Sequence, residues 1–124
     1  MDELYNLREL DLSGNDLKGL PREMYRFRSL EKLYLDNNKI DDTNVFIIMA
    51  AVSHLRYLSL AYNFLSNIPQ SCIEDSGMYP LLQCLDLSFN YFGSEDDVQV
   101  VLDMSRLEKC MLYGNPLLGP SGED

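Results

Sequence analysis

The residues able to do chemistry in this chain are few and widely spaced. There is one histidine, His54, set between Ser53 and Leu55 with Arg56 beyond, and neither a nucleophile motif nor a ligand spacing surrounds it. The three cysteines, Cys72, Cys84 and Cys110, form no Cys-x-x-Cys pair, so a zinc site has no support. Asp36-Asn37-Asn38 resembles the opening of a calcium loop. It fails further on, because the sixth position is Asp41 where a glycine must make the turn and the twelfth is Ile47 where a bidentate glutamate is required. No glycine-rich phosphate cradle is present; Ser13-Gly14-Asn15 is a turn within a repeat. No catalytic residue, metal site or cofactor is expected, and the chain is expected not to be an enzyme.

The elements that position these residues come from a phrase spelled five times, Leu-x-x-Leu-x-Leu-x-x-Asn. It runs Leu7 to Asn15, Leu30 to Asn38, Leu55 to Asn63, Leu82 to Asn90 and Leu107 to Asn115, with starts 23, 25, 27 and 25 residues apart. Each copy has the length of one short strand and one return segment in a stacked coil. An apolar residue follows two positions after each Asn: Leu17, Ile40, Leu65, Phe92 and Leu117. Cys110 replaces the second leucine of the last copy and is expected to act there as a small hydrophobe.

Strand geometry assigns the roles. In x-Leu-x-Leu-x the leucines share one face and the variable residues the other. Leu10/Leu12, Leu33/Leu35, Leu58/Leu60, Leu85/Leu87 and Cys110/Leu112 therefore form two inward columns. The turn after each strand leaves backbone groups inside the coil, and an asparagine amide offers both donors and an acceptor for them. Asn15, Asn38, Asn63, Asn90 and Asn115 are expected to form a buried ladder. The returns differ. The first, 17–29, suggests a loose helical turn or extended chain; the second, 42–53, has helical spacing; the third, 68–79, carries Pro69 and Gly77 and suggests short helix plus loop. The fourth suggests helix over 95–103, with Ser94 and Asp97 imitating a capping box.

On these five phrases the chain closely resembles the leucine-rich repeat family, a likeness that covers about Leu4 to Leu118. The resemblance implies an α/β solenoid with short parallel strands on a concave face and helices or loops on the convex face. It also implies use as a recognition surface in scaffolds, regulatory subunits and fixed assemblies. We expect one domain over 1–124, with repeats starting near 7, 30, 55, 82 and 107. The phrases open and close the chain with little to cover the leucine columns, so we expect a fragment of a longer protein.

Composition narrows the partner. The net charge is −10, with clusters at Asp41/Asp42, Glu74/Asp75 and Glu95-Asp96-Asp97, an acidic rim that would repel phosphate backbones; nucleic-acid binding is not expected. No apolar run long enough to span a membrane and no charged-then-apolar leader occurs, so neither membrane insertion nor secretion is expected. An odd cysteine count, no cysteine-rich cap and no Asn-x-Ser/Thr site point inside the cell, to the cytoplasm first, with nucleus and cilium as further compartments.

What remains free to vary is the outer face of the strands. Successive slots read Glu9, Lys32, Tyr57, Cys84, Lys109; then Asp11, Tyr34, Ser59, Asp86, Met111; then Ser13, Asp36, Ala61, Ser88, Tyr113; and at the turn Gly14, Asn37, Tyr62, Phe89, Gly114. Tyr34, Tyr57, Tyr62, Phe89, Met111 and Tyr113, interrupted by Lys32, Asp36, Asp86 and Lys109, have the composition of a protein-binding patch. The same rings could instead tile the sheet as cross-strand pairs. The expected function is non-catalytic binding of a protein partner through this Tyr/Phe/Met face. Two alternatives stand beside it: an architectural subunit of a larger complex, such as a ciliary or cytoskeletal one, and a targeting domain for an enzyme outside this segment.

Overall fold

A computed structural model describes residues 4–69, 78–102, 104 and 106–119. Five three-residue strands, β1 (Glu9–Asp11), β2 (Lys32–Tyr34), β3 (Tyr57–Ser59), β4 (Cys84–Asp86) and β5 (Lys109–Met111), form one parallel sheet in sequence order. The register is the one the phrase dictates. Leu10, Leu33, Leu58, Leu85 and Cys110 are successive partners, flanked by Glu9, Lys32, Tyr57, Cys84, Lys109 and by Asp11, Tyr34, Ser59, Asp86, Met111. A solenoid results because every return brings the chain back one strand spacing along the stack.

The inward leucines of β2, β3 and β4 are buried, with Phe46, Phe92, Ile40, Leu65 and Met49 filling the space between strands and returns. Leu10, Leu12, Cys110 and Leu112 are only half-buried, because the first and last coils are packed on one side alone. Burying each central leucine contributes roughly 1.5–3 kcal/mol.

Adjacent strands lie about 4.8 Å apart whereas an α-helix is about 10 Å across, so returns of this length hold only short helices. The first return carries a 3-10 helix at Arg22–Arg26, behind Pro21. The second holds α1 (Val45–Ala50), shorter than the expected 42–53. At its start Asp42 accepts from Asn44 N at 2.9 Å, and at its end Val52 and Leu55 tighten into bonds to Met49 and Val52. Most of the third return, 70–77, lies outside the described residues, as do Cys72 and the Glu74/Asp75 cluster. The fourth begins as a 3-10 helix, Glu95–Val98, and continues as α2 (Gln99–Leu102), so the expected helix is present with a tighter first turn. The capping box forms: Asp97 Oδ2 accepts from Ser94 N and Gly93 N at 3.2 Å each.

The asparagines join the coils. Asn63 Nδ2 donates to Leu60 O of its own coil and to Leu35 O of the preceding one, both at 3.0 Å, and its Oδ1 accepts from Ile40 N at 3.0 Å. Asn38 binds Leu35 O and Leu12 O; Asn90 binds Leu87 O and Leu60 O; Asn115 binds Leu112 O and Leu87 O. Their Oδ1 atoms accept from Leu17, Leu65 and Phe92 N respectively. Leu12, Leu35, Leu60 and Leu87 carbonyls thus each accept from two asparagines, in a ribbon that runs through the stack.

Asn15 departs from the expected buried ladder. It is exposed and its side-chain amide donates only within its own coil, to Leu12 O at 2.8 Å and Ser13 O at 3.3 Å, because no earlier coil among the described residues offers it a carbonyl; its backbone N–H donates to Asn38 Oδ1 at 2.9 Å. Position in the stack therefore sets the energetic role of identical residues. Asn63→Ala strands a buried N–H and leaves a void, and should lower unfolding free energy by about 3 kcal/mol; Asn15→Ala should cost about 0.5 kcal/mol. Urea denaturation of the two variants checks this, and equal losses would contradict the ladder's directionality.

The open face of the sheet and its aromatic rim

Each strand ends in a turn with a left-handed residue in the same slot: Gly14 (φ 72°), Asn37 (56°), Tyr62 (58°), Phe89 (58°) and Gly114 (72°). Glycine and asparagine tolerate this conformation, but a bulky aromatic there carries strain of order 1–2 kcal/mol. Coils three and four carry aromatics nonetheless. The rings of Tyr62 and Phe89 stack with centroids 4.5 Å apart and planes 9° from parallel. Phe89 closes against Gly114, where a Cβ would lie 2.2 Å from the Phe89 ring. Gly114 is therefore needed both for its φ and for the room it leaves.

A second stack stands beside the first. The residue after each asparagine points outward again, and Phe64 and Tyr91 stack 5.7 Å apart at 10°. Their backbones are held by bonds from Phe64 N to Ile40 O (2.8 Å) and Tyr91 N to Leu65 O (2.7 Å), which extend the parallel pairing beyond the turn. Tyr62, Phe64, Phe89, Tyr91 and Tyr113 are 54%, 47%, 45%, 56% and 63% exposed, which makes this rim the main apolar surface offered to solvent on that side.

The strand aromatics behave differently. Tyr34 and Tyr57 are half-buried and tilted together, centroids 5.3 Å apart at 45°, so they tile β2 on β3. Burial, followed by the nearness of Cys84, Asp86, Tyr34 and Asp36, pushes the Tyr57 phenol above its usual pKa, so it is a neutral hydroxyl. Asp36 braces the two coils: its Oδ1 accepts from the Ser59 hydroxyl and from Ala61 N at 3.0 Å. Asp86 Oδ1 accepts from Ser88 N at 3.0 Å. Ser59, Ala61 and Ser88 are buried although their slots face outward, giving a floor of small residues between the tyrosine pair and the rim. Lys32 on β2 and Lys109 on β5 are exposed in the same outward slot, and Met111 is half-buried on β5.

The expected patch therefore divides into a tiled pair, Tyr34/Tyr57, and an exposed rim around Tyr62, Phe89 and Tyr113. Phe64 and Tyr91 escaped sequence reasoning, which stopped the strand alternation at the asparagine. Strict alternation would place these residues inward with the leucines, but the left-handed residue before each asparagine turns the chain, so that Asp16, Lys39, Phe64, Tyr91 and Pro116 form a further exposed row. In that row Lys39 Nζ lies 3.6 Å from the Asp16 carboxylate, an exposed pair of little energetic weight.

His54 is exposed with Ser53 Oγ 3.5 Å from its Nδ1. Among the described residues, no group of three or more His, Cys, Asp or Glu side chains is placed to hold a metal ion, and no helix is long and apolar enough to cross a membrane. Cys110 lines a cleft of about 320 Å³ at the last coil with Val101, Met104, Leu107 and Leu112. Burial first, then Asp86 and Cys84, pushes its thiol up to about 12.

Residues 5–47 match the family described as "Leucine Rich repeats (2 copies)" and residues 54–75 match "Leucine Rich Repeat". Receptor-like protein 18 of Arabidopsis thaliana is 36% identical over 89 residues, 71% of this chain and 10% of that protein. A protein phosphatase 1 regulatory inhibitor subunit homologue from the same plant is 36% identical over 95 residues, 75% of this chain and 27% of that protein. The chain thus spans about a tenth and about a quarter of these two relatives. Internalin C2 of Listeria monocytogenes superposes with a TM-score of 0.68 at 21% identity, covering 98% of this chain and 48% of the other, a likeness of fold alone.

Two outcomes follow. Tyr62→Asn exchanges a strained aromatic for a residue at ease in the left-handed region, so lost stacking of about 1 kcal/mol and relieved strain of about 1 kcal/mol should nearly cancel. A melting temperature within a few degrees of wild type is expected, and a collapse of stability would show the stack to be structural. The raised Cys110 pKa means the neutral thiol's contribution is fully present below about pH 9, the ordinary thiol value, and is lost as pH rises toward about 12. Denaturation from pH 8 to 11 should show a steeper alkaline loss for wild type than for Cys110→Leu.

Proposed function

Because the chain belongs to the leucine-rich repeat family, whose members generally mediate protein–protein interaction, we propose that it is a non-catalytic module that holds a protein partner against the open face of its sheet. The observation that carries this reading is the exposed aromatic rim: two stacked pairs, two of whose rings sit in strained turns. Strain retained at an exposed position is a mark of a recognition site. The partner spans from the rim across the small floor of Ser59, Ala61 and Ser88 to Tyr34 and Tyr57, with Met111 and Tyr113 on the last coil and Lys32, Asp36, Asp86 and Lys109 as polar contacts. Aromatics at the centre and charge around them is the usual division of labour in such contacts. The cysteine pattern supports action in a reducing compartment inside the cell.

Capture of partners from cell extract by the wild-type chain and by Tyr34→Ala/Tyr57→Ala/Tyr113→Ala tests this. The folded triple variant should lose its specific partners. Retention of all of them, together with their loss in Asp41→Asn/Asp42→Asn, would move the contact from the open face to the acidic returns.

A further inference from the structure

The chemistry around the two aromatic stacks identifies the kind of segment that they receive. Asp41 and Asp42 follow Ile40, whose carbonyl is bonded to Phe64 N, and both are exposed. Glu95 and Asp96 follow Tyr91 by a few residues at the start of the fourth return and are also exposed. On the sheet side stand Asp36 and Asp86, half-buried. Exposed carboxylates thus follow the outer row in the second and fourth coils, on a chain whose net charge is −10. Lys39, the cation in the outer row, is engaged by Asp16.

We propose that the rim formed by Tyr62, Phe64, Phe89 and Tyr91 is a docking site for an arginine-bearing basic segment of a partner protein. The inference rests on the partner-binding reading above and specifies its chemistry. A planar guanidinium on an apolar stem can lie against an aromatic ring while its N–H groups reach a neighbouring carboxylate. Two aromatic stacks in the third and fourth coils, followed in the chain by exposed acids, suit cations repeated along an extended segment. A lysine, a strongly hydrated point charge, fits the acids but lies less well against the rings because it has no plane to stack. A neutral proline-rich segment would use the rings and ignore the acids.

The test titrates the 15N-labelled chain with three peptides of equal length, rich in arginine, in lysine and in proline, and follows amide shifts and fluorescence anisotropy. The arginine peptide should bind with shifts centred on 62–64 and 89–91, weaken as salt rises, and lose about tenfold in affinity in Phe64→Ala/Tyr91→Ala and in Asp41→Asn/Asp42→Asn. Circular dichroism confirms that each variant is folded. Equal or tighter binding of the proline peptide, shifts located elsewhere, or no binding of the arginine peptide would overturn the inference. If the arginine peptide fails while Tyr34→Ala/Tyr57→Ala/Tyr113→Ala still abolishes capture of a partner, only the chemistry assigned here falls. If the peptide binds at the rim and the triple variant retains its partners, the contact across the tyrosine pair falls and the rim stands.

Discussion

The carbonyl that each turn buries needs a donor, and in this molecule an asparagine amide supplies it. The tight turn after each three-residue strand leaves the carbonyl of the third leucine of the phrase inside the coil, where water does not reach it and no strand can pair with it. One amide supplies its own coil and the preceding coil at once, while its oxygen receives a backbone N–H from that preceding coil. The leucine columns provide most of the driving force, but leucines alone specify neither the rotation between coils nor where the strand must stop. The asparagines specify both, which is why the sheet stays in register from Leu10 to Cys110 over returns of different length and content.

A scaffold fixed in this way leaves the outward slots without a structural task, and the molecule fills them unevenly. Some became structural again: Asp36 bonds Ser59 and Ala61, and Tyr34 packs on Tyr57. Others present rings to solvent at a conformational cost. That contrast separates the two uses of aromatic residues on one face better than composition does. The tyrosines on the strands are half covered and paired; those at the turn and just past it are stacked and open.

Much of this was legible in the residues. The phrase predicted the strands, their register, the inward leucines and the amide ladder, because each is a consequence of a period and a turn. What it could not supply depended on position in the stack. Asn15 holds the same place in the phrase as Asn38 and a different environment, since no coil precedes it among the described residues. Helix lengths also escaped, because the space available to a return is set by the spacing of the coils as well as by its own apolar pattern. Phe64 and Tyr91 were hidden for a third reason: strict alternation puts the residue after the asparagine inward with the leucines, and the left-handed residue before the asparagine reverses that placement.

The amide bonds also have a sense of travel. Every inner asparagine reaches backward, from its own coil to the one before, and the last of them, Asn115, is the residue that holds Phe92 N and shares Leu87 O. Peeling off the first coil frees only the outer bonds of Asn38 and turns it into another Asn15, a side chain content with its own turn. Peeling off the fifth withdraws a side chain and strands an amide hydrogen in what was interior. Among the described coils the two outer surfaces therefore expose different groups, a spare asparagine amide on one and an unanswered backbone N–H on the other, and the stack behaves like a zip fastener whose teeth all slant one way.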